Sequence, residues 1–395
     1  YARRLVAERC LYGVDRNIFA VDLAKLSLWL ATLAKEHPFT FLDHSLRHGD
    51  SLVGLSREQI ACFNWETSGQ LPLLRNVIDE RVAAAQAIRQ RIQAMASSDD
   101  VPEKTRLLRE ANRALADVRQ LGDLVIAAFF EREKPKERQT RLAAYWGLTQ
   151  EWIDGRGPLP EPDSTRTTFH WEVEYPEVFT RANPGFDAFV GNPPFAGKNT
   201  ITASSGANYL QWLLTLHEES HGNADLVSHF FRRSFHLLRS AGVLGLIATN
   251  SLAQGDSRRT GLAWILAHDG HIFSATKRLR WPGAAAVVVC VVCISKSLSV
   301  DSASLNGAPV GAISSFLLSS RGADEPSRLK ANEGIAFKGV DVNGMGFTFD
   351  DADRSGAATP LAVMRDLIDE NPGYSEVIHP FIGGEELNDS PTQAH

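Results

Sequence analysis

The run Phe186-Asp187-Ala188-Phe189-Val190-Gly191 leads straight into Asn192-Pro193-Pro194-Phe195. The apolar character of the first stretch predicts a buried strand. Two successive prolines cannot continue it, because each lacks a backbone donor and holds φ near −65°. Asn192 precedes a proline and is pushed into extended geometry. The chain therefore contains a sheet, and a stiff loop carrying an amide and an aromatic ring just past the carboxyl end of one strand. Open α/β sheets bind their ligands at that edge.

The surrounding pattern agrees. Residues 10–15 read as a short strand ending in an acid, 18–34 as a helix apolar on most sides, and 46–55 as a turn around Gly49-Asp50. After 186–190 come a helix over 225–238, a strand over 243–249 and a long β-branched strand over 284–294. Strand and helix in alternation predict a parallel sheet. Residues 72–141 break the rhythm. Ile78, Arg81, Ala85, Ile88, Ile92 and Met95 recur at helical spacing, as do Leu108, Ala111, Leu115 and Val118. This predicts an inserted antiparallel helical hairpin, with Asp100 and Glu103 as a capping box at the return helix. Its arginines and glutamates read as solvated faces. The expected organisation is a first sheet part (1–71), the hairpin (72–141), a catalytic sheet part (142–298), and a linker leading into a target-recognition region (299–395).

Composition narrows the functional classes. Lys plus Arg total 41 against 47 Asp plus Glu, so nucleic-acid contacts must come from local basic patches rather than a basic coat. Four cysteines are too few for a disulfide scaffold, and a reducing, cytoplasmic compartment is expected. No apolar run is long enough to span a bilayer. Cys290-Val291-Val292-Cys293 has half the spacing of a zinc site, but Cys10 and Cys62 supply no second pair, so no metal is expected.

The loop suits one chemistry. The Asn192 side-chain oxygen and the Pro193 carbonyl offer two acceptors to an exocyclic NH2 group. Paired this way, the nitrogen lone pair is drawn out of ring conjugation and becomes a better nucleophile. Phe195 can stack on the ring, a contact worth about 1–3 kcal/mol per base in comparable sites. This loop, with Asp15 and Asp50, resembles the amino-methyltransferases that use S-adenosylmethionine. More closely, the chain resembles the adenine-N6 DNA methyltransferase part of type IIG restriction-modification enzymes and related phage-defence methylases.

That resemblance implies a Rossmann-like class I methyltransferase sheet. It assigns Asp15, in Tyr12-Gly13-Val14-Asp15, to the cofactor ribose, and Asp50 and Ser51, in His48-Gly49-Asp50-Ser51, to the cofactor adenine. Asn192, Pro193, Pro194 and Phe195 match the catalytic loop, with Asn192 also near the cofactor. In Lys277-Arg278-Leu279-Arg280-Trp281-Pro282-Gly283, Trp281 is the candidate for the other face of a flipped adenine, and Lys277, Arg278 and Arg280 are candidates for phosphates. The blocks around Asp225 and over 242–251 read as structural. The implied partner is double-stranded DNA with its target base extruded, and residues 336–340 and 380–388 resemble the entry to a recognition module. The family's first block, a strand and glycine-rich turn, is missing from the sequence as given, which reads as a fragment. Weak cofactor binding is expected, and any nuclease would lie upstream. Two alternatives remain open: the same chemistry on an RNA adenine or a protein glutamine, and a non-catalytic DNA-binding specificity subunit.

Overall fold

The computed structural model describes residues 2–32, 41–67, 73–95, 101–163, 166–281, 288–298, 302–319 and 345–380. The chain forms two compact units, 1–324 and 325–395. The first opens with α1 (Ala2–Arg9), β1 (Gly13–Asp15), α2 (Ile18–Ala31) and β2 (Leu46–His48). A run of helices follows: α3 (Arg57–Ala61), α4 (Arg75–Ala94), α5 (Val101–Ala114), α6 (Ala116–Phe130), α7 (Pro135–Ile153), α8 (Trp171–Glu174) and α9 (Pro176–Phe179). Then come β3 (Phe186–Gly191), α10 (Lys198–Ser205), α11 (Ala207–Leu216), α12 (Leu226–Leu237) and β4 (Leu238–Thr249). The unit closes with α13 (Gly255–Arg258), α14 (Trp264–Ala267), β5 (Gly270–Arg280), β6 (Val288–Lys296), β7 (Ala303–Leu305) and β8 (Ala308–Val310).

The fold is α/β, as expected. β1 and β2 pair in parallel, with Asp15 opposite His48. The second sheet runs β3-β4-β6-β5-β7-β8. β3 and β4 are parallel, and β6 lies antiparallel between β4 and β5, so β3, β4 and β5 all point the same way. Among the described residues β1 pairs only with β2, and β3 only with β4. Val190 on β3 is accordingly 90% exposed. β7 and β8 fall in the stretch expected to be linker. Their three residues each are too few to show a period, and Asn306-Gly307 joins them in a two-residue turn with both φ angles positive, 51° and 81°.

α4 and α5 pack on each other, but the return helix expected to carry Leu115 and Val118 ends at Ala114, and Val118 lies on the next helix, α6. α4 buries Ile78, Val82, Ala85 and Ile92, and α5 buries Leu107, Leu108 and Ala111. The expected capping residue Asp100 lies outside the described residues. The hairpin's arginines are not all solvated. Arg89 of α4 is 2% exposed and grips Glu177 with two bonds, Nε to Oε2 at 2.8 Å and Nη2 to Oε1 at 2.7 Å. Arg119 of α6 and Arg47 of β2 share Glu174. These pairs bolt the insertion to the short helices ahead of β3. Burial alone pushes the Glu174 carboxyl up, but the two guanidiniums outweigh it and hold its pKa below the usual carboxylate range.

α2 shows a second departure from simple expectation. Val21 and Leu28 pack on Leu42 and Leu46. Phe19, Leu23, Leu26 and Leu30, spaced four, three and four apart, form an uncovered stripe, with Phe19 79% exposed. The helix is apolar on two faces, and only one meets the β1–β2 pair. In the second unit, α15 (Leu361–Glu370) buries none of its residues. The segments expected to enter a recognition module, 336–340 and 380–388, lie outside the described residues apart from Pro380.

Candidate active site

The loop at 192–195 leaves the carboxyl end of β3. Asn192 is exposed, Pro193 is buried, Pro194 is exposed, and Phe195 packs partly against the core beneath β4. The Asn192 amide has no hydrogen-bond partner among the described residues. The loop is held from behind by Asp225. Its Oδ1 accepts from Ala196 N at 3.1 Å and, as the N-cap of α12, from Val227 N at 3.0 Å. Leu226 N returns a bond to the Ala196 carbonyl at 2.8 Å. Asp225 N donates to Ser257 Oγ at 2.9 Å, and Ser228 Oγ donates to the Ser257 carbonyl at 3.0 Å. Sequence reasoning treated Asp225 as structural; its position just ahead of an amphipathic helix was the available signal.

An open cleft of about 470 Å³ lies at the end of β1, lined by Asp15, Arg16, Asn17, Ile18, Phe19 and His48. Asp15 Oδ1 accepts from Asn17 N at 2.7 Å, and the Asp15 carbonyl accepts from Gly49 N at 3.0 Å. His48 Nε2 lies 3.0 Å from the Arg16 carbonyl, which it meets as a donor. Gly49 is required here: a Cβ would sit 2.5 Å from the Phe169 ring. Asp50 follows it inward. It is 5% exposed, with Oδ1 accepting from Leu52 N at 3.1 Å and both oxygens 3.2 Å from the Tyr209 hydroxyl. Burial raises the Asp50 pKa, against the Leu52 N–H, Arg16 and Tyr209. Asp50 thus sits behind the cleft wall rather than on it. The Ser51 carbonyl accepts from Trp171 Nε1 at 3.0 Å.

The two regions share one rim. Tyr175 donates to the carbonyls of Gly13 and Ser45 at 3.0 and 2.7 Å, and its ring lies 6.1 Å from that of Phe186. β1, β2 and β3 therefore start around one tyrosine. Past their ends, Arg16 Nη1 donates to Ser205 Oγ at 3.2 Å and Arg166 Nη2 to the Ser205 carbonyl at 3.1 Å. Ser205 closes α10, which follows the loop, and Tyr209 on α11 reaches Asp50. None of Arg16, Arg166, Ser205 or Tyr209 carried a sequence signal, because their pairings span tens to more than a hundred residues.

The third block sits farther along the same edge. β5 is parallel to β3, so its end at Lys277, Arg278 and Arg280, followed by Trp281, emerges on the side of the 192–195 loop. β4 and β6 intervene, three strand spacings or about 14 Å across the sheet. Arg278 and Arg280 are exposed, Lys277 and Trp281 half-buried, and none of the three cations forms an ion pair among the described residues.

The geometry defines an α/β protein with a polar loop past the end of β3 in one sheet and a cleft carrying Asp15 at the end of β1 in the other. Residues 9–272 of the 395 match the model of the Eco57I restriction-modification methylases, and the chain belongs to that family. A curated relative from Methanocaldococcus jannaschii, described as a type II restriction enzyme and methyltransferase, is 22% identical over 275 residues, 62% of this chain. The chain spans 22% of that relative's length. Among solved structures, the type IIL restriction-modification enzyme MmeI in complex with DNA aligns at TM-score 0.32 and 16% identity, covering 62% of this chain and 34% of that one. A protein from Listeria monocytogenes described as a class I S-adenosylmethionine-dependent methyltransferase aligns at TM-score 0.24 and 10% identity, covering 63% and 90%. Both scores are low, and the assignment rests on the family match.

Proposed function

We propose that the protein transfers a methyl group from S-adenosylmethionine to adenine N6 in double-stranded DNA, as part of a restriction-modification or phage-defence system. The observation that carries this reading is the exposed, unpartnered Asn192 amide on a proline-stiffened turn, anchored from behind by Asp225. The cleft residues fit a nucleoside: one Asp15 oxygen is engaged by Asn17 and the other is open to a sugar diol, while Ile18 and Phe19 offer apolar surface to a base. The cofactor, when bound, supplies an electrophilic methyl on sulfur.

The chain's own residues do the rest. Asn192 Oδ1 and the Pro193 carbonyl accept both hydrogens of the extruded amine. They orient its lone pair outward and stabilise the positive charge that develops on nitrogen. Phe195 and Trp281 replace the stacking lost when the base leaves the duplex. Lys277, Arg278 and Arg280 fix the backbone around it. The protein is to be incubated with isotopically labelled S-adenosylmethionine and, in separate reactions, duplex DNA, RNA and a release-factor protein. Label recovered as N6-methyl-2′-deoxyadenosine from DNA alone is the expected result. Label confined to RNA or to glutamine would contradict it.

A further inference from the structure

We infer that the turn at Asn306 is a positioning device for the phosphate-binding cations at the end of β5, an inference that rests on the DNA reading above. β5 is irregular where those cations lie. Thr276 faces Val291 on β6 and Leu279 faces Val289, so Lys277 and Arg278 together stand opposite Cys290 alone. This is a bulge, with one residue more than its partner strand. Arg278 sits there at φ 56°, in the left-handed region that glycine occupies most easily. A long β-strand has no need of such a residue, and bulges recur where a side chain must be re-aimed beside a functional edge.

The bulge is held open from the far side of β5. Lys277 N donates to Asn306 Oδ1 at 2.8 Å, and Asn306 N donates to the Ala275 carbonyl at 2.8 Å. Asn306 therefore clamps β5 on both sides of Thr276, and its side-chain oxygen takes the Lys277 N–H on the β7 side of the bulge. A turn of type Asn-Gly needs no such side-chain bond to form; glycine at 306 would satisfy it equally. The side chain is thus spent on the bulge, and the bulge carries Lys277 and Arg278 with no acidic partner among the described residues. The partner this suits is a polyanionic backbone running along the sheet edge past the 192–195 loop.

The test uses the intact protein and a fluorescently labelled duplex of random sequence, titrated over a range of salt. Asn306→Gly removes no charge and keeps the turn, yet is expected to weaken binding several-fold and to lower the slope of log affinity against log salt by about one. Arg278→Gly is expected to melt higher than wild type, because strain is relieved, while binding DNA several-fold more weakly. Wild-type affinity and slope in Asn306→Gly would overturn the inference, whatever Arg278→Gly does, and leave the DNA reading standing. A wild-type protein that binds no duplex at low salt would overturn both.

Discussion

Asp225 Oδ1 serves two donors, Val227 N at the head of α12 and Ala196 N behind the 192–195 loop. Its replacement by alanine removes a helix cap, worth about 1 kcal/mol, and leaves the Ala196 N–H without its acceptor. Asp225→Ala is expected to lower stability by about 1–3 kcal/mol in urea unfolding and to slow methyl transfer while DNA affinity changes little. Unchanged transfer would mean the loop needs no anchor. Glu177 tests a different principle. It is the only carboxylate bonded to the buried Arg89 guanidinium among the described residues, and it also accepts from the Tyr12 hydroxyl at 3.1 Å. Breaking a buried pair from one side leaves an uncompensated charge, so Glu177→Ala is expected to cost about 3–5 kcal/mol, read as a lower denaturant midpoint. A loss under 1 kcal/mol, roughly that of an exposed pair, would contradict this.

At the scale of elements, α11 and α12 carry a pH dependence. His217 closes α11 and His229 lies on α12; their Nδ1 atoms are 2.9 Å apart and both side chains are buried. One must donate and the other accept, so the two rings cannot both be charged. Burial first, then neighbouring positive charge, lowers His229 to about 3 and His217 well below 6.5. The unfolded chain binds these protons below pH 6.5 and the folded one does not. Stability is therefore full above that value and falls as pH drops below it, by up to about 1.4 kcal/mol per pH unit for each histidine. Replacing His217 and His229 together with asparagine is expected to flatten the melting-temperature profile between pH 4 and about 6.5. An unchanged profile would show that other groups set it.

The elements also show how far the sequence could be read. β3, its loop, α12, β4 and the α4–α5 hairpin all follow from periodicity and proline placement, because each is specified by neighbours in the chain. The buried strand at 284–294 begins, among the described residues, at Val288 and runs to Lys296. The clamp on Asp50 by Tyr209 was not legible, since the two lie 159 residues apart. The bulge at Arg278 was not legible either, since an arginine gives no sign of positive φ. Nor could the pattern tell which of α2's two apolar faces would be covered.

For the whole molecule, the unshared edges of β1 and β3 matter most. Their outward backbone groups find no strand partner among the described residues, and the cleft at Asp15 lies beside one of them. The net charge of −6 gives the molecule no general attraction for DNA. On the function proposed above, affinity comes from the sheet edge, where the amide of Asn192 and the cations of β5 lie. The most direct measurement is the single-turnover rate of methyl transfer by Asn192→Ala, with DNA and S-adenosylmethionine both saturating. Loss of one preorganised partner predicts a rate lower by on the order of 10²-fold, with both ligands still bound. A variant that transfers methyl groups as fast as wild type would place the chemistry elsewhere.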